Sequence, residues 1–104
     1  MASGKGYLEF ILSQLDGLEG IRYRAMMGEY LLYCEDRLFG GIYDDRLLVK
    51  PVRSALAMLP DAPQELPYEG AKPMLLVENV DDAAHLKALV TAMLPDLPDP
   101  KKRK

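Results

Sequence analysis

The chain has a single cysteine, a single histidine and no apolar run approaching the length of a bilayer span. With Cys34 alone no internal disulfide can form, which excludes a disulfide-stapled secreted scaffold. Apolar stretches such as residues 74–77 fall far short of the roughly 20 residues of a spanning helix. Residues 1–10 carry neither the apolar stretch nor the small-residue cleavage pattern of a signal peptide. Together these absences predict a cytoplasmic protein. His85 has no second histidine to work with, and Asp81, one turn before it, makes the ordinary surface pairing of a helix. A histidine-centred metal or acid–base site needs further ligands or an orienting group. The reading is therefore no catalytic residue, no metal and no cofactor.

What is present suffices for one domain. A chain of 104 residues buries roughly two-thirds of the surface it exposes when unfolded. Its apolar fraction of 49% is ordinary for a globular protein. The net charge of −3 conceals an asymmetry. Lys101, Lys102, Arg103 and Lys104 close the chain with four positive charges, so the body is four charges more negative than the whole. Such a body repels phosphate backbones. Nucleic-acid binding is expected only as a weak, nonspecific contact through those four residues.

Leu8, Ile11, Leu12 and Leu15 hold helical spacing, and a helix is predicted over residues 4–16 with Ser3 as its cap. Residues 29–34, 38–43 and 46–50 read as three strands of an antiparallel meander. Glu35-Asp36-Arg37 and Asp44-Asp45 turn the chain between them. Pro51 suits the start of a short helix with Val52, Leu56 and Leu59 on one face, and Pro60 stops it. Within the proline-rich stretch 60–73, Leu66-Pro67-Tyr68 reads as a brief edge strand. Residues 74–77 form a buried strand. The last helix opens at Asp81 as N-cap, repeats Leu86, Leu89, Val90 and Met93, and ends at Pro95. The order is α-β(3)-α-β(2)-α, a two-layer α+β fold with helices on one face of an antiparallel sheet. Leu12, Leu15, Leu86, Leu89 and Val90 are expected in the core. Residues 1–94 are expected to form one domain, and 95–104 a disordered, proline-rich basic tail.

The remaining chemistry-bearing residues have structural explanations. Cys34 shares a strand face with Tyr30 and Leu32 and reads as packing. The pairs Glu35-Asp36, Asp44-Asp45 and Asp81-Asp82 fall in turns or at a helix start, where Asp is locally favoured, and no calcium-binding loop pattern is present. Gly40-Gly41 fits neither phosphate-binding fingerprint. Glycine inside a strand marks a bulge or a close approach, and helix packing over Gly40 or Gly41 is the expectation. Tyr33 and Tyr43 have the parity of the face away from the helices, where they make an aromatic platform. Tyr30 and Leu32 have the opposite parity and point into the core.

The stretch Arg24-Ala25-Met26-Met27-Gly28-Glu29-Tyr30-Leu31-Leu32-Tyr33 resembles the signature of the TfoX/Sxy N-terminal domain family. That signature has Arg-x-Met-Phe-Gly-Gly followed by a Gly-Leu-Tyr-like strand. Leu38-Phe39-Gly40-Gly41-Ile42 and Leu47-Leu48-Val49-Lys50 resemble its next two strands. Tyr68 and Met74-Leu75-Leu76-Val77 sit where its last two would be. Met27 stands for the usual Phe and Glu29 for the second Gly. The resemblance implies the fold just derived, with Arg24, Met26, Met27 and Gly28 as structural motif residues and no catalytic residues to carry over. The family's competence regulators carry a further C-terminal helical domain, and this chain ends before it. The expectation is a non-enzymatic interaction module with a bacterial protein partner, linked to transcriptional or competence regulation. It would be a monomer or weak dimer, away from membranes, docking through Tyr33 and Tyr43. The alternative is a small-molecule binder or cryptic enzyme using a sheet–helix cleft at Gly40 and Gly41.

Overall fold

A computed structural model describes residues 4–26 and 28–97. Ser3, Met27 and residues 98–104, which include the basic tail, lie outside the described residues. The elements are α1 (Lys5–Gln14), β1 (Ile21–Met26), β2 (Glu29–Cys34), β3 (Arg37–Tyr43), β4 (Arg46–Val49), α2 (Arg53–Met58), β5 (Gln64–Glu65), β6 (Met74–Leu76) and α3 (Ala83–Met93). A 3-10 turn, Leu94–Asp96, follows α3. The strands make one antiparallel sheet in the order β1-β2-β3-β4-β6-β5. The α+β class stands, with one strand more than the sequence reading, because residues 21–26 join the sheet. That edge strand is mostly exposed, so its sequence carries little of the apolar signal that marked β2–β4.

Two hairpins close with two-residue loops whose residues all have positive φ: Glu35 at 52° and Asp36 at 65°, Asp44 at 56° and Asp45 at 57°. Loops of this kind match the right-handed twist of the flanking strands. Here acidic residues occupy positions that glycine or asparagine usually fills. Asp45 also contributes a contact, its Oδ1 accepting the Gly4 N–H at 2.8 Å where α1 begins.

Between β2 and β3 the register changes from Leu32↔Gly40 to Tyr33↔Leu38, leaving Phe39 as an extra residue. This β-bulge re-aims side chains. Phe39 and Ile42, three residues apart, would face opposite sides of a regular strand, yet both are buried in the helix-side core. That core joins Leu8, Ile11 and Leu15 with Leu86, Leu89, Val90 and Met93 against Leu32, Ile42, Leu47 and Leu75. Leu12 is only half-buried at its edge. All three helices contribute to this one cluster.

Four local readings need correction. In α2 the buried residue is Ala55, and Leu56 is exposed, because the helix begins after Val52 and turns its small side chain to the core. The edge strand beside β6 is β5 at residues 64–65, before the proline that takes Leu66-Pro67-Tyr68 out of the ladder. The cap of α3 is Asp82, whose Oδ1 accepts the His85 N–H at 3.1 Å. Residues 95–97 are ordered: Leu97 is buried in the core, and Arg37 Nη1 donates to the Leu94 carbonyl at 2.7 Å.

Candidate functional site

Strand alternation and the pairing register define the face of the sheet away from the helices. It carries Arg22, Arg24 and Met26 from β1, Leu31 and Tyr33 from β2, and Leu38, Gly41 and Tyr43 from β3. β4 adds Arg46 and Leu48, and β6 adds Met74 and Leu76. Tyr33 and Tyr43 thus lie on the outer face and Leu32 in the core. The outer face is not open, however. Tyr43 is only 7% exposed. The loop between β5 and β6 covers it, bringing Tyr68 to a tilted contact with ring centroids 6.4 Å apart, and Pro67 in that loop is itself buried. Tyr33 remains half-buried.

Two features hold the cover in place. A Cβ at Gly41 would stand 2.7 Å from the Tyr43 ring and 2.7 Å from the Tyr30 carbonyl oxygen, so only glycine lets that ring lie back over its own strand. Arg46 pairs with Glu65 and donates to the carbonyls of Tyr43 at 3.1 Å and Leu66 at 3.3 Å, tying the loop's first residues to β4. Burial raises the pKa of the Tyr43 phenol, with Tyr68 and Glu29 adding to the shift.

Two hollows flank the paired tyrosines. One, of about 540 Å³, is lined by Leu38, Gly40, Lys50, Pro67, Tyr68 and Met74 among others, with Lys72 and Asp96 also contributing. The second, of about 500 Å³, lies between Met26, Glu29, Tyr43 and Tyr68. Both are predominantly apolar. Met26 is 44% exposed and Tyr68 61% exposed. Asp96 accepts the Ser54 N–H at 2.9 Å. Ser54, whose amide bonds it, and then the nearby Arg53 hold its carboxyl below the ordinary value.

Gly40 reaches the first hollow, whereas Gly41 lies under the Tyr43 ring. No helix explains either glycine. A Cβ at Gly40 would collide with the β4 backbone at Leu48 O and at Val49 Cα, so the close approach comes from the neighbouring strand. Cys34 is buried, its Sγ 3.5 Å from the Glu19 carbonyl oxygen, and burial followed by Glu35 raises its pKa. Such a thiol is held in its unreactive form. His85 is half-buried near the start of α3. Among the described residues no three His, Cys, Asp or Glu side chains gather as a metal site, and no helix is long and apolar enough to cross a membrane. Arg24, Met26 and Gly28 surround the first hairpin, where Gly28 takes φ 84°. Met27 lies outside the described residues. Sequence reasoning missed the covering loop. Its signal was an exposed aromatic, Tyr68, set within a run of prolines between two short strands.

The model of the TfoX N-terminal domain family matches residues 13–92. An uncharacterized 12.7 kDa protein from the trpE 5′ region of Spirochaeta aurantia is 30% identical over 105 residues, covering all of this chain and 91% of the relative. No solved structure matches the chain.

Proposed function

The chain belongs to the TfoX N-terminal domain family, and from that premise we propose that it is a non-enzymatic interaction module of regulatory character, acting through the outer face of its sheet. The observation that supports this reading is the apolar surface around the tyrosine pair. Tyr68 and Met26 stand exposed over a hollow of about 500 Å³, with Tyr43 as its floor. Tyrosine and methionine are enriched at the centres of protein interfaces. The Glu29 carboxylate beside the hollow accepts the Asp44 N–H at 3.1 Å and so helps hold a turn. Tyr33 extends the same surface along β2.

Affinity capture from a native bacterial lysate, with the wild type and with Tyr68→Ala or Tyr33→Ala as bait, tests the reading. A specific partner should be retained by the wild type at least about tenfold better than by the variants, as expected for interface aromatics. All three baits should show the same helical circular dichroism. Equal capture by the three would remove the outer face from consideration.

The hollow of about 540 Å³ favours a second reading, a small-molecule site, because its volume falls within the usual range for such ligands. Lys72 and Asp96 lie among apolar walls there. A thermal-shift screen of small anions and aromatic metabolites distinguishes the readings. A ligand that raises Tm in the wild type and fails with Lys72→Ala supports the second.

A further inference from the structure

The sheet ends on two unequal edges. β5 offers two residues, while β1 offers six, without proline, of which five are exposed. Among the described residues β1 has β2 as its sole neighbour in the sheet. In an antiparallel ladder alternate residues exchange both hydrogen bonds with the partner strand. Gly20 O accepts the Glu35 N–H at 3.0 Å, just before β1, and this sets the phase. Arg22, Arg24 and Met26 bond toward β2. Ile21, Tyr23 and Ala25 direct their N–H and C=O groups outward, and no described backbone group outside the sheet takes them. The side chains alternate with the same period, placing Ile21, Tyr23 and Ala25 on the helix side and the two arginines on the outer side.

We propose that this edge receives an extended, acidic segment of a partner protein as an added strand. The proposal goes beyond the outer-face reading: it adds a second docking site, at the sheet edge, to the one at the tyrosine hollow. Strand addition exploits unpaired main-chain groups for affinity and alternate side chains for specificity. Carboxylates at every second position would face Arg22 and Arg24, and β-branched residues between them would face Ile21, Tyr23 and Ala25. Arg22 is open to exchange. Its Nη1 lies 3.5 Å from Asp36 Oδ1, with both side chains largely exposed, and such pairs are worth little.

A second copy of this chain fits less well. Joining two β1 strands about a two-fold axis, helices on the same side, opposes residues of like parity. Registers centred on Arg24 or Tyr23 then bring Arg24 against its own counterpart, or Arg22 against Arg24. Like charges directly opposite one another destabilise a strand pair. The acidic body does not outweigh the local arginines, since screening at physiological salt confines its field to about 8 Å.

The test titrates two N-acetylated octapeptides, one alternating Glu and Val, the other Lys and Val, into the ¹⁵N-labelled full chain. The Glu-Val peptide should shift the amides of residues 21–26 and bind at least about tenfold more tightly than the Lys-Val peptide, through its charge pairs. Arg22→Glu with Arg24→Glu should reverse that preference. Tyr23→Pro removes one outward N–H, leaves the β2 ladder its bonds, and should abolish binding, whereas Tyr68→Ala should leave it unchanged. If Tyr23→Pro does not fold, the arginine reversal decides alone. Equal binding of the two peptides, or shifts confined to the helices, overturns the proposal. Loss with Tyr68→Ala but not with Tyr23→Pro overturns it too, while leaving the interaction reading in place. A dimer in sedimentation that Arg22→Glu with Arg24→Glu strengthens would assign the edge to a second copy and also overturn it.

Discussion

Individual side chains divide into those that hold the core and those that carry information about pH. Leu89 lies fully buried among α1, α3 and the sheet. Leu89→Ala should cost about 2–5 kcal/mol in urea unfolding, and a loss under about 0.5 kcal/mol would contradict its burial. Tyr43 reports differently. Burial raises its phenol pKa above the ordinary 10.0, with Tyr68 and Glu29 adding to the rise. The folded state therefore binds that proton more tightly than the unfolded chain. The stability this contributes is complete below pH 10 and is lost as pH rises through the folded value. Tyr43→Phe should flatten the alkaline decline of urea midpoints measured between pH 9 and pH 11. An unchanged decline would place the responsible group elsewhere, with Tyr7, whose pKa is also raised by burial, the next to examine.

At the scale of elements, the hairpin loops carry a local cost. Asp36 sits at φ 65°, where a Cβ is unfavourable. Asp36→Gly relieves about 1 kcal/mol of backbone strain and gives up only the exposed contact with Arg22, typically worth under about 1 kcal/mol. The variant should be equally or slightly more stable in thermal unfolding, and a clear destabilisation would show that the exposed pair matters more than its geometry indicates. The elements also show what sequence makes legible. The strands β2, β3 and β4 announce themselves because their apolar residues are packed on one or both faces. The helical spacing of Leu86, Leu89, Val90 and Met93 names its own buried face. β1 was silent because an edge strand with arginines on its outer face buries little. Leu56 misled because helical spacing alone does not say that the smaller Ala55 fits closest to the core. The position of the loop at residues 66–73 depends on Arg46, Glu65 and Gly41 meeting across the sheet, and no local pattern encodes that meeting. Tyr33 and Tyr43 received the correct face from parity, yet the cover over Tyr43 is a tertiary fact.

Across the whole molecule, two layers leave the helices on one side and a partly roofed apolar surface on the other. The two ends of the described chain are tied in at separate places, through Gly4 to Asp45 and through Asp96 to Ser54. The two-residue loops that join β2, β3 and β4 also govern how the chain searches for this arrangement. Each hairpin closes over only two residues, so its loop entropy is small. β6 must instead return to β4 after the excursion through α2 and β5. The meander is expected to be structured in the folding transition state, with β6 joining afterwards. Ile42→Val should then slow refolding in stopped-flow experiments. Leu75→Ala, which empties a position on β6, should chiefly speed unfolding. The reverse pattern would mean that the long return, and not the meander, nucleates the chain.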